Sequence, residues 1–134
     1  VFTVHDKCCT DFQNAVDDYL IRHRSVLDVL TKYQESAARV NRAFAKAVTE
    51  CGCVKVNASR QQVPADACYS DIKQFMSSHL SGKPCDHCQE IISKELGHSI
   101  FYLTALCNLS GVSLAEVMQQ ECKNVTTLGV FHLT

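Results

Sequence analysis

The sequence predicts an all-α protein, a bundle of four to five helices with two long antiparallel helices as its frame. Three observations predict it. Val26, Leu30, Tyr33, Ala37, Val40, Phe44 and Ala47 recur at alternating steps of four and three, the spacing of a bundle seam, with no Gly or Pro between them. A second long run, from Cys85 to Gly111, keeps Cys88, Ile92, Leu96, Ser99, Leu103 and Leu106 on one face. Elsewhere, strand-like alternation is hinted at only by Val54 and Val56.

The elements follow in order. Residues 1–9 lack a period and are expected as a loose N-terminal arm; their adjacent Cys8 and Cys9 are poorly disposed to share a metal, because neighbouring side chains diverge. Thr10 and Gln13 match a capping pair, which predicts that a first helix begins there and places Phe12, Val16, Tyr19 and Leu20 on one face. Polar Arg22-His23-Arg24 interrupts it, and Ser25 with Asp28 marks a fresh start. The second helix should run from about 26 to 49 and stop at Gly52. Residues 54–64 read as a short strand or extended loop, broken by Asn57-Ala-Ser59 and Pro64. Ile72, Phe75, Met76 and Leu80 suggest a short helix over 70–80, halted by Ser81-Gly82-Lys83-Pro84. The fourth helix opens at Cys85. Ser113 and Glu116 cap a fifth through Leu114, Val117, Met118 and Glu121. The tail 125–134 is apolar without a helical period and is expected to pack as an extended segment.

A chain of 134 residues is one domain's worth, so residues 1–134 are read as a single helical domain large enough to hold a core without crosslinks. Thirteen basic against 14 acidic residues give a net charge of −1, which argues against a nucleic-acid-binding module driven by positive charge. No apolar run approaches the ~20 residues of a membrane span. Nine cysteines, an odd number in short-spaced pairs, fit metal binding in a reducing compartment better than a fully paired framework, and a cytoplasmic location is expected. Three Asn-x-Ser/Thr triplets, at Asn57, Asn108 and Asn124, point the other way and keep open a secreted, disulfide-linked helical protein.

Cys51-Gly-Cys53 and Cys85-Asp-His-Cys88 supply four thiols in two close pairs, each at a helix end. Tetrahedral Zn²⁺ takes four N or S ligands, and two short-spaced pairs are the usual way to present them, so these four cysteines are read as a structural zinc site. Cys68, His79 or His87 could replace one ligand, an iron–sulfur cluster uses the same four thiolates, and a Cys-x-x-Cys disulfide is the redox alternative. Unrelated buried thiols are the plainest reading, and Cys107 and Cys122 look like core fillers.

Glu95 and His98 are neighbours on the surface of the fourth helix, and Glu35 lies midway along the second. Antiparallel packing would bring the three together, as inward carboxylates and imidazoles do in metal-binding bundles. The plainer reading is a surface pair of Glu35 with Arg39 and a hydrogen-bonded His98. The stretch from Lys94-Glu-Leu-Gly-His98 through Phe101-Tyr-Leu103 to Ser113-Leu-Ala-Glu-Val-Met118 resembles the second half of the MazG-like all-α nucleoside triphosphate pyrophosphohydrolases, and Gln34-Glu35 is similar to that family's first acidic motif. The resemblance implies a MazG-like bundle whose carboxylates bind Mg²⁺ or Mn²⁺ and release pyrophosphate from a nucleotide, with Glu35, Glu95 and His98 as the catalytic set, and a homo-oligomer of two or four chains. Gln34 and His98 stand where the family has Glu and Asp, and the thiol pairs are not part of its pattern. The implied function is therefore a metal-stapled nucleotide-binding or regulatory bundle with degenerate carboxylates; an active pyrophosphohydrolase is the alternative.

Overall fold

A computed structural model describes residues 3–132. Four α-helices carry the architecture: α1 (Val4–Tyr19), α2 (Val26–Lys46), α3 (Asp86–Ser110) and α4 (Leu114–Leu128). Among the described residues the chain is all-α apart from two-residue strands, β1 (Lys55–Val56) and β2 (Leu80–Ser81), paired antiparallel. The long helices α2 and α3 run antiparallel. Val29 meets Ala105 near one end, the Ser99 hydroxyl lies 3.1 Å from that of Ser36 midway, and Ala47 meets Cys88 at the other end.

The expected loose arm is a helix from Val4 onward; residues 1 and 2 lie outside the description. Thr3, not Thr10, caps it. The Thr3 hydroxyl accepts from the Asp6 amide at 3.2 Å, and the Asp6 carboxylate accepts from the Thr3 amide at 3.0 Å. Those bonds hold the Asp6 carboxyl below its usual range, with the Thr3 backbone N–H the largest cause. Gln13 serves elsewhere: its side-chain amide donates to the Val112 carbonyl and accepts from the Leu114 amide, both at 2.8 Å, latching α1 onto the α3–α4 turn. The Asn108 side chain donates to the Gln13 carbonyl at 3.1 Å, so this triplet asparagine is already engaged in the fold.

α2 begins at Ser25 as expected, its hydroxyl accepting from the Leu27 amide. It ends in one π-helical turn, Ala47–Cys51, closed by an i→i+5 bond from the Gly52 amide to the Ala47 carbonyl and by the left-handed Gly52 (φ 75°). Only part of the expected seam faces α3. Of that seam only Ala47 is buried, with Tyr33 and Val40 half-buried, while Val26, Leu30, Ala37 and Phe44 are exposed; the buried positions Val29, Ser36 and Ala43 lie outside it. The apolar band on α2 is wider than one partner helix covers.

The helix expected over 70–80 is a 3₁₀ segment, Tyr69–Phe75, followed by β2. Serine side chains compete with helical bonding here. The Ser77 hydroxyl accepts from the His79 amide and Ser78 from Leu80, while the Gln61 side chain bonds the Ser77 amide and carbonyl. The tail is also corrected. α4 runs on through Leu128, with the Thr126 hydroxyl donating back to the Cys122 carbonyl. Gly129 (φ 56°) then ends it before a short 3₁₀ turn, Gly129–Phe131. No proline intervenes, so the helix propagates despite its weak period. Residues 133 and 134 lie outside the described residues.

The core is in two pieces. Val16, Val29 and Ala105 form one, packed by Phe12, Leu20, Phe101 and Leu106. Ala47, Val54 and Cys88 form the other, at the opposite end of the α2–α3 pair, packed by Val48 and Cys53. Cys107 is buried as expected, but Cys122 is exposed: α4 turns it to solvent. Among the described residues no single helix is long and apolar enough to cross a membrane.

Candidate metal centre

The second core piece is the floor of the thiol site. Cys51 ends the π turn, Gly52 reverses the chain, and Cys53 follows. Val54 is buried beneath them, and β1 then pairs with β2, which returns the chain to Pro84 and the start of α3. Gly82 (φ 84°) sits so close beneath Cys53 that a Cβ there would lie 3.1 Å from the Cys53 carbonyl oxygen. Cys85 is the N-cap of α3, and Cys88 lies in its first turn. Two helix ends and a miniature hairpin thus bring together cysteines 34 residues apart in sequence.

All nine cysteines are free. The ligand atoms of Cys51, Cys53, Cys85 and Cys88 all lie within 4.8 Å of one another, and the Cys51 and Cys85 sulfurs are 3.8 Å apart. A tetrahedron of thiolates at ~2.3 Å from a central ion has sulfur–sulfur edges of about 3.8 Å. A disulfide needs ~2.05 Å. The spacing therefore suits an ion between the sulfurs, and these four cysteines can hold one. Among the described residues no other group of three or more His, Cys, Asp or Glu is so placed, so Cys68, His79 and His87 do not join it.

Electrostatics differ across the four. The Cys88 backbone N–H, at the exposed-amide end of α3, and then the Cys88 thiol hold Cys85 down at about 7. Burial, then the Cys85 thiol, pushes Cys88 up to about 12. Cys51 is raised, chiefly by its contact with the Cys53 thiol. A cation between them reverses the cost of crowding four thiolates, because each negative sulfur then faces a positive centre.

Glu35, Glu95 and His98 lie elsewhere, midway along α2 and α3. A cleft of about 460 Å³ opens between the two helices, lined by Lys32, Glu35, Ser36, Arg39, His98, Phe101 and Tyr102. Glu35 accepts from Arg39 at 3.1 Å and from Lys32 at 3.4 Å, and Arg39, then Lys32, lowers its pKa. Glu95 is turned under the helix surface. Its Oε2 is buried with no hydrogen-bond partner and lies 3.7 Å from His98 Nδ1. Glu35 and His98 share the cleft and Glu95 touches His98, but the three do not gather within reach of one ion. Lys32, Arg39 and the edge-to-face pair Phe101–Tyr102, with centroids 5.2 Å apart, line the cleft without any motif that marks them as ligand-binding residues. Their only signal in sequence is that residues 32, 35 and 39 share one side of α2.

The tetrathiol end and the charged cleft are the two sites the fold presents, and comparison with family models, curated proteins and solved structures returns no match for the chain that carries them.

Proposed function

We propose that the protein is a zinc-stapled helical bundle that binds a phosphorylated nucleotide in the α2–α3 cleft without hydrolysing it. Zinc is favoured over other ions by the all-thiolate donor set and by edges that suit a tetrahedron. Its role is structural: four protein ligands leave no open position for water or substrate.

The nucleotide reading rests on the cleft's composition. Lys32 and Arg39 supply cations for phosphate, and Phe101 and Tyr102 supply aromatic faces for a base. The residues do not fit a resident Mg²⁺ site. Mg²⁺ requires several oxygens in octahedral array, and Glu35 is committed to Lys32 and Arg39. That is the physical case for binding over hydrolysis, and it agrees with the degenerate MazG-like motifs.

Titrating the purified protein with nucleoside mono-, di- and triphosphates tests it directly. Affinity should rise with phosphate number, and Arg39→Ala should weaken it about tenfold. No binding by any of them would sink the reading. The second reading, an active pyrophosphohydrolase, draws on the buried unpartnered Glu95 oxygen, the sort of group that a metal brought in with the substrate would satisfy. Pyrophosphate release with Mg²⁺ or Mn²⁺, lost in Glu95→Gln, would favour it.

A further inference from the structure

The four thiols of the metal centre are not equivalent. Cys88 is buried against Ala47 and Val54, and the half-buried Cys53 thiol donates to the Ala47 carbonyl at 3.7 Å. Those two are anchored to the floor of the site. Cys51 and Cys85 are exposed, and their sulfurs lie 3.8 Å apart. One ends the π turn that follows α2 and the other is the N-cap of α3, so both stand at helix ends, where the backbone yields most easily. A cavity of about 270 Å³, lined in part by Lys46, Glu50 and His87, opens onto Cys51. Solvent access and a second thiol within reach are what make a cysteine respond to peroxide.

We propose that this exposed pair makes the centre a peroxide-responsive one: hydrogen peroxide joins Cys51 to Cys85, the metal is released, and the new disulfide takes over the metal's hold on the two helix ends. The thiolate of one cysteine attacks a peroxide oxygen and becomes a sulfenic acid, with hydroxide leaving. The thiolate of the other attacks that sulfur and displaces a second hydroxide. The two thiolates together give up two electrons, and one peroxide takes them. Cys53 and Cys88 then remain, two ligands where a tetrahedral ion takes four. Joining requires the sulfurs to close from 3.8 Å to ~2.05 Å. Two exposed side chains at helix ends accommodate that shift, whereas moving Cys88 would disturb the core piece it belongs to.

The pair that forms decides what oxidation does to the fold. Bonds within each motif, Cys51–Cys53 or Cys85–Cys88, would leave the segment between the motifs free at both ends. A Cys51–Cys85 bond crosses from the end of α2 to the start of α3, 34 residues along the chain, and closes the same loop that the metal closes. The centre therefore gives up its metal under oxidation and keeps its shape. This inference rests on the four thiols holding an ion; it does not depend on what the cleft binds.

The test uses the metal-loaded full chain with Cys8→Ser, Cys68→Ser and Cys122→Ser, three exposed thiols outside the group. Hydrogen peroxide should release about one ion per chain to a chromogenic chelator. Peptide mapping without reduction should then find Cys51 joined to Cys85, and dithiothreitol should restore metal binding. The oxidised protein should resist protease across residues 57–79 as the metal-loaded form does, unlike the chelated one. The same mapping on the unsubstituted chain decides the matter where the triple variant fails to fold. Metal retained under peroxide, a Cys85–Cys88 or Cys51–Cys53 product, sulfinic acid without a crosslink, or a crosslinked chain cut as fast as the chelated one would each overturn the proposal. A chain that binds no metal before peroxide is added would defeat the zinc reading instead. In that case the mapped pair decides alone: Cys51–Cys85 supports the crossing bond, and any other pair refutes it.

Discussion

Cys88 belongs to two systems at once: it is one of the four thiols and also one of three buried side chains in the core piece at that end. Replacing it by serine removes a ligand and leaves a hydroxyl where burial makes an unpaired polar group costly, about 1–3 kcal/mol. Cys88→Ser should therefore lose the metal and melt earlier, as read by elemental analysis and calorimetry. Cys68→Ser, at an exposed thiol outside the group, should change neither. The thiols also set a pH dependence. Burial holds Cys88 up at about 12 and the Cys53 thiol raises Cys51, so both carry protons at neutral pH in the metal-free chain. The metal must displace those protons. Apparent affinity should fall as pH falls, by at least about 100-fold per unit, since at least two protons are displaced. Competition titrations at pH 7 and pH 6 measure it, and a pH-independent affinity would contradict the assigned ligands. Glu35 has the opposite kind of shift. Its contacts with Arg39 and Lys32 favour the charged form, so whatever they contribute to stability is present above the unfolded carboxylate pKa and lost as pH drops through the lowered folded value.

At the scale of elements, the joints decide more than the helices do. Gln13 satisfies two backbone groups at the α3–α4 turn with one side chain, so Gln13→Leu should cost about 1–3 kcal/mol, seen in the urea midpoint. Gly82 combines a left-handed φ with a close approach to the Cys53 carbonyl. Gly82→Ala should destabilise by about 1 kcal/mol or more and weaken metal binding, since the strain falls on the loop that aims Cys53. These joints mark where sequence reading stops. The long helices are legible because period and stop signals agree over many residues, as with the run from about 26 to 49 stopping at Gly52. Thr3–Asp6 was missed as a cap because Thr10–Gln13 offered a better-looking pattern, and only the fold shows that Gln13 is spent on the far turn. Apolar spacing points to a full helix over the 3₁₀ segment because it cannot register serines that bond their own backbone. The thiol group was legible from spacing alone. The cleft was not, because Lys32 and Arg39 around Glu35 read as an ordinary solvated face.

On the scale of the molecule, two small cores sit at opposite ends of one helix pair. The thiol end has little apolar burial of its own and closes the segment between Cys53 and Cys85, which holds only the two short strands and the 3₁₀ turn. A metal there restricts a long loop whose ends otherwise part at low cost. Chelation should therefore expose residues 57–79 to protease well before the α1–α3 end melts, and limited proteolysis with and without chelator checks it. A single cooperative transition unaffected by chelator would mean that the apolar contacts hold this end without help.

The π turn at Ala47–Cys51 has a consequence for insertions and deletions. A π turn is an α-helix carrying one residue too many. Deleting one residue from 47–50 would restore regular α geometry and keep every side chain type at the site. Because the wide turn absorbs the extra residue, Cys51 would stay on nearly the same side of α2. Winding 47–51 as regular α-helix at full length would instead carry Cys51 round by much of one residue's 100° and aim its sulfur away from Cys85 and Cys88. At this length, the π turn itself is a condition for the four thiols to meet.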